Sequence, residues 1–162
     1  MYQKPAPKYV SLTEALRKME HYCAYQERCH QEVEKKLATM ILIPEACEKI
    51  LLHLMQENYL NEGRFAQSFA RGKFSIKKWG RVRITQELKC KKISTHAIKI
   101  ALQELDDQTY LDTFDELAEK KWESLNETRL QTKKKKWIAY LTYRGWERTL
   151  IFEKLNELTT SK

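Results

Sequence analysis

Glycine and proline are scarce in this sequence: four of the first and three of the second in 162 residues. Two of the prolines, Pro5 and Pro7, lie close to the N-terminus, so the remainder contains few residues that break a helix. The glycines stand singly at Gly63, Gly72, Gly80 and Gly145, which excludes the glycine-rich loop that cradles nucleotide phosphates. An HExxH zinc helix and a GxSxG elbow are also missing. Four cysteines, Cys23, Cys29, Cys47 and Cys90, are too few and too irregular for a disulfide framework and form no CxxC pair, so reduced, packed thiols are expected. His21, Cys23, Cys29 and His30 are metal-ligand types crowded into ten residues, but separations of two, six and one do not converge on a tetrahedral site along a helix, and no metal is expected. His53 and His96 are single histidines, read as structural or solvent-facing. No apolar run approaches the roughly 18 residues of a membrane span, and MYQKPAPKYVSLTEALRK has no apolar core of signal-peptide type. A soluble, cytoplasmic monomer without cofactor is the expectation.

What the chain does contain is helix-forming material, rich in Leu, Glu, Lys and Gln, with 42% hydrophobic residues. Its net charge of +8 is unevenly placed. Between Arg71 and Lys92 stand nine cations (Arg71, Lys73, Lys77, Lys78, Arg81, Arg83, Lys89, Lys91, Lys92) against the single acid Glu87, so that this stretch alone carries +8 and the rest balances to zero. A field so concentrated points to a polyanion or an acidic protein surface.

Ser11-Leu12-Thr13-Glu14 fits a capping box and predicts a helix start after a loose tail of residues 1–10. Leu12, Leu16, Met19 and Tyr22 or Cys23 follow at helical spacing and extend an apolar stripe to about Cys29. Val33 and Leu37, then Ile50, Leu51 and Leu54, predict two further helices separated at Ile43-Pro44. The plan then recurs. Leu37 aligns with Leu88, and Tyr59-Leu60 with Tyr110-Leu111, at an offset of 51; Leu88, Ile93, Ile98, Leu102 and Leu105 align with Leu141, Trp146, Ile151, Leu155 and Leu158 at 53. Phe69-Ala70 and Phe74 align with Leu117-Ala118 and Trp122 at 48. Such periodicity predicts an all-α, elongated and curved array of three degenerate three-helix repeats, divided as 11–60, 61–111 and 112–162.

Trp79, Trp122, Trp137 and Trp146, with Phe65, Phe69 and Phe74, could stack on bases, but their recurrence among aliphatics favours the core. Lys133, Lys134, Lys135 and Lys136 form a second basic feature. Four consecutive residues sweep about 300° of a helix, so at least one stem must lie along apolar surface. Arg81, Arg83 and Gln86 could read base edges, or the same arginines could pair with phosphates or with carboxylates of a protein.

The series Tyr59-Leu60-Asn61-Glu62, Arg64-Phe65-Ala66, Trp79-Gly80, Arg83-Ile84-Thr85-Gln86-Glu87-Leu88 and Lys91-Lys92-Ile93 resembles the RecX family, regulators of the RecA recombinase, whose pattern here runs LDD-RFA, GWGPRRI-QEL and KGI. The resemblance implies a crescent of tandem three-helix repeats that docks in the groove of the RecA filament on single- or double-stranded DNA and suppresses ATP turnover, strand exchange and coprotease activity. It implies no enzymatic activity. The family's basic surface falls on Arg71, Lys73, Lys77, Lys78, Arg81, Arg83, Lys89, Lys91 and Lys92, and more weakly on Lys133 to Lys136. Where the family has the glycine of KGI this chain has Lys92, and repeat one has Ile41, which predicts differently built helix ends in repeats one and two. The other readings are a helix-turn-helix-like DNA-binding regulator and a helical-repeat adaptor for another acidic protein. Charge reversal at Arg81 and Arg83 is expected to weaken binding without unfolding the repeat.

Overall fold

The computed structural model describes residues 9–160, and residues 1–8 of the expected tail lie outside them. Among the described residues the regular structure is helical: α1 (Leu12–Tyr25), α2 (His30–Leu37), α3 (Pro44–Gln56), α4 (Glu62–Lys77), α5 (Arg81–Cys90), α6 (Thr95–Gln103), α7 (Asp107–Ser124), α8 (Leu130–Tyr143) and α9 (Arg148–Thr160). Local chemistry sets many of these starts. The side-chain oxygens of Ser11, Asn61, Ser94 and Asp106 accept from the amides of Glu14, Arg64, Ala97 and Thr109 at 2.8–3.2 Å. Each such cap stabilises its helix by about 1 kcal/mol. Pro44 opens α3, where its missing N–H costs nothing.

The closely packed helix pairs fall within three groups, α1–α3, α4–α6 and α7–α9, here called units one, two and three. Units two and three repeat each other bond for bond at the turn after their middle helix. The amides of Lys91, Lys92 and Ile93 donate to the carbonyls of Glu87, Lys89 and Leu88, and those of Arg144, Gly145 and Trp146 donate to Tyr140, Thr142 and Leu141, every pair offset by 53. Lys92 occupies the left-handed region (φ 60°) just as Gly145 does (φ 83°). The helix end of unit two is therefore built like a glycine turn, contrary to expectation, with a lysine carrying a cost of about 1–2 kcal/mol. Unit one does differ. Its turn closes through Thr39 and Met40 onto Lys36 and Leu37, and Ile41 bridges to Tyr9 instead of adopting positive φ.

Three further expectations shift. The first helix stops at Tyr25 and does not reach Cys29, because Gln26 turns extended (φ −157°) and Arg28 Nε donates to the Tyr22 carbonyl at 3.3 Å. Tyr59-Leu60 does not correspond to Tyr110-Leu111: the former precede the cap Asn61, whereas the latter lie inside α7. The counterpart of Leu60 is Leu105, each buried one residue before a capping Asn or Asp. Since α7 already starts at Asp107, a division between residues 111 and 112 would cut a helix.

Burial forms two cores. Ala15, Met19, Cys23, Val33, Leu37, Ile50, Leu54 and Leu60 make the core of unit one. Units two and three share one larger core, from Phe65 to Leu155, and Cys29 is the one residue of unit one buried in it. The accessible surface, 11253 Å², exceeds the roughly 8,500 Å² of a compact monomer of this mass, which describes an extended molecule.

Candidate basic binding surface

The joint between units two and three is aromatic. Tyr110 lies at 5.6 Å from Phe74 and 4.7 Å from Trp146 between ring centres, and Phe114 lies 5.2 Å from Trp146. Backbone joins backbone beside them: Gly80 N–H donates to the Arg144 carbonyl (2.8 Å) and Val82 N–H to that of Gly145 (3.1 Å). A Cβ on Gly80 would sit 2.2 Å from the Gly145 oxygen, so only glycine permits this approach. The Tyr110 hydroxyl accepts from the Arg81 amide (2.8 Å) and donates to Glu147 (2.7 Å), and burial, aided by that carboxylate, pushes its pKa far above the usual phenol value.

Two of the predicted binding arginines are consumed in this joint. Arg81 lies over the Tyr110 ring at 4.0 Å and donates to Asp107 (2.6 Å) and to the Leu105 carbonyl (3.3 Å). Arg83 sits between Trp79 (4.0 Å) and Tyr143 (4.5 Å) and donates to the Tyr143 carbonyl at 3.0 Å. Their side chains are 28% and 20% exposed. They hold units two and three together, and the expectation that both could be reversed without structural damage is corrected accordingly.

Lys91 is likewise spent, at the joint between units one and two, in an ion pair with Glu32 (2.9 Å). Burial by itself would raise the Glu32 carboxyl, but the hydrogen bonds from Lys91 and the Cys29 amide outweigh it and hold the group below the usual range. On Lys91 burial works the other way, and the Glu32 bond overcomes it and raises the ammonium above its ordinary value. Arg64 and Glu27 form the second ion pair of this joint.

The other candidates are placed differently. Arg71 is exposed and pairs loosely with Glu104 at 3.5 Å. Lys73 lies over Phe69 and Trp79, 5.4 and 5.0 Å from the ring centres. Lys77, Lys78, Lys89 and Lys92 are exposed and have no ion-pair partner among the described residues. Lys78, in the left-handed region (φ 55°), ends α4 as Lys92 ends the α5 turn, and no sequence signal marked it. In unit three Lys133 covers Trp122 at 4.4 Å, Lys134 is half-buried, Lys135 is exposed and Lys136 pairs with Glu127. The run thus divides between apolar stem contact and solvent, as helical geometry requires.

The aromatics divide too: Trp137 and Trp146 are buried, whereas Trp79 and Trp122 remain half-exposed beneath cations. His53 is not alone but meets Glu20 at 2.7 Å. Cys23 and Cys29 are buried, with burial pushing the Cys23 thiol up to about 11, while Cys90 is exposed and not packed. Among the described residues no cluster of three or more His, Cys, Asp or Glu is placed to hold a metal, and no helix is long and apolar enough to cross a membrane.

The stretch bearing Lys77, Lys78, Lys89 and Lys92 lies within the part of the chain that a family model matches. Residues 61–102 match the second three-helix domain of RecX. Regulatory protein RecX of Prosthecochloris aestuarii is 29% identical over 147 residues, 91% of this chain and 95% of the relative. The similarity to RecX proteins thus extends over nearly the whole chain. RecX of Lactobacillus johnsonii is 31% identical over 91 residues, and that of Bacillus cytotoxicus 28% over 141, but the chain spans only 34% and 52% of their lengths. The crystal structure of RecX from Lactobacillus salivarius superposes with a TM-score of 0.78 at 23% identity, over 92% of this chain and 97% of that one, and shares its fold. The relatives carry the name of regulatory proteins.

Proposed function

We propose that this chain is a non-enzymatic modulator of the RecA recombinase that lies in the groove of the RecA–DNA filament and suppresses its ATP turnover, strand exchange and coprotease activity. The observation that carries the reading is the set of lysines left unpaired on unit two. Lys77, Lys78, Lys89 and Lys92 have no ion-pair partner among the described residues, and Lys78 and Lys92 hold a strained left-handed backbone that glycine would adopt at no steric cost. A lysine at such a position adds nothing to the turn that glycine would lack, which supports a role for its charge in binding a partner. Arg71, Lys73 and the run Lys133–Lys136 extend the same basic character, whereas Arg81, Arg83 and Lys91 position it.

A stack of three units can touch adjacent protomers and nearby phosphates at once, so that weak contacts multiply through effective concentration. Such a ligand shifts the filament only by binding one of its states better than another. A helix-turn-helix regulator is less well supported, because the arginines of α5 suited to base edges are already engaged within the protein.

The test is DNA-stimulated ATP hydrolysis by the cognate RecA, with this protein titrated from far below to near the recombinase concentration. Inhibition at substoichiometric ratios with weak binding to the same naked DNA supports the proposal. Unchanged turnover beside tight, steeply salt-dependent binding to naked DNA replaces it with the DNA-binding reading. Unchanged turnover without DNA binding leaves an adaptor for another acidic protein.

A further inference from the structure

Unit one has a basic feature of its own, remote in sequence from the lysine-rich stretch. An open groove of about 840 Å³ lies between α1 and the end of α2, a volume within the range of known ligand sites. Arg17, Lys18 and His21 line it from α1 and Lys36 from α2, and no carboxylate is among the residues that line it. Arg17 and His21, four residues apart, share one face of the helix. Lys18 is neutralised by Glu14 at 2.8 Å, but among the described residues neither Arg17 nor Lys36 has an ion-pair partner. Two unneutralised cations therefore face a cleft from two different helices.

Two tyrosines in the same groove have different surroundings. The Tyr22 ring is covered by the Arg28 guanidinium at 3.9 Å and approached by Lys36 at 5.6 Å, which makes it a fixed wall. Tyr25, the last residue of α1, is 78% exposed. An exposed aromatic flanked by unpaired cations in a groove without acids is the arrangement on which single-stranded nucleic acid binds, its backbone following the charge and its bases stacking on the ring. An acidic peptide would use the cations equally well but would give the exposed Tyr25 face no role.

We propose that the groove of unit one binds a short stretch of single-stranded nucleic acid, with phosphates on Arg17 and Lys36 and a base stacked on Tyr25. The assignment rests on the proposed function for its setting, since a filament on DNA carries such a strand, and it makes unit one a second contact beside the lysines of unit two. Its test is independent of RecA.

Anisotropy of a fluorescein-labelled dodecathymidylate is measured with the full chain at several salt concentrations. Arg17→Gln with Lys36→Gln is expected to weaken binding by about tenfold at 50 mM salt and to flatten the salt dependence of log K by roughly 1.4, about 0.7 for each lost phosphate contact. Tyr25→Ala is expected to cost about fivefold to a hundredfold. All three residues are exposed, so helicity by circular dichroism should be unchanged. The assignment is overturned if the wild-type chain does not bind the oligonucleotide, or if both variants bind it as tightly as wild type. It is also overturned if the variants lose a labelled poly-glutamate peptide yet keep the oligonucleotide. Oligonucleotide binding through Tyr25 with no effect on RecA turnover would remove the filament reading alone; RecA inhibition untouched by the variants, with no oligonucleotide binding, would remove the groove alone.

Discussion

The two joints of this molecule occupy equivalent positions and are built from opposite chemistry. Cys29 and Glu32, at the start of the middle helix of unit one, correspond at an offset of 51 to Gly80 and Arg83; Lys91 and Lys92 correspond at 53 to Arg144 and Gly145. At the second joint the glycines let two backbones meet, and Phe74, Tyr110, Phe114 and Trp146 close one continuous core around them. At the first joint the same positions hold an ion pair, Glu32–Lys91, and a lone cysteine crosses into the neighbouring core. Dry aromatic contact scales with buried area and resists salt, whereas partly exposed ion pairs are weakened by screening and by titration of either partner. Units two and three should therefore behave as one rigid body, and unit one as a separately melting attachment.

Trp146→Ala should test this most severely. Removing the ring from the shared core should cost about 3–5 kcal/mol, read from urea unfolding, while a transition assigned to unit one stays in place. A single transition shifted as a whole would mean that the two cores are not separate. Gly145→Ala comes next: its Cβ would lie 2.2 Å from that of Arg83 at a φ of 83°, and the loss should reach roughly 3 kcal/mol in the same experiment. Arg81→Glu with Arg83→Glu should lower stability by roughly 2 kcal/mol through lost stacking and hydrogen bonds, so any loss of the proposed RecA inhibition in that variant would report a loosened joint. Lys89→Glu, on open surface, should leave stability within about 0.5 kcal/mol and still weaken the proposed inhibition of RecA.

Acid sharpens the contrast from the other side. The Glu32 carboxyl is held below its unfolded value, so its contribution is complete above the unfolded pKa and vanishes as pH falls through the lower folded one. Protection factors of the α2 amides, taken relative to the intrinsic exchange rate at each pH, should fall below about pH 4, near the unfolded carboxyl value, while amides around Gly80 and Gly145 keep theirs. An equal fall at both joints would contradict the assignment of ionic character to the first. Lys91, raised by the same bond, gives the mirror effect, lost as pH rises through its folded value. The smallest change should be Lys92→Gly, which relieves the left-handed lysine but frees the unfolded chain, for a net gain of up to about 1 kcal/mol in thermal unfolding. At the matching position of unit three the same turn already has its glycine.

Much of this architecture could be read from the sequence because it is local. The caps at Ser11 and Pro44 depend on neighbours a few positions away, and the turn bonds after the middle helices of units two and three obey the 53-residue register. The fate of the arginines could not be read. Arg83 finds its carbonyl acceptor 60 residues later and Arg81 its carboxylate 26 residues later, and nothing in a run of like charges tells a bound guanidinium from a free one. For the same reason Lys77, Lys78, Lys89 and Lys92 could not be separated from Lys91. Cys29 was misplaced because helical periodicity describes one face of one helix, and this residue belongs to the core of the next unit.

All four tryptophans, Trp79, Trp122, Trp137 and Trp146, lie in units two and three, and none lies between residues 11 and 60. The protein's tryptophan emission therefore follows units two and three and is silent about unit one. Movement of that unit on DNA or on a filament needs its tyrosines, a dye or an added indole to be seen, and a titration that leaves the tryptophan spectrum flat says nothing about whether unit one has engaged.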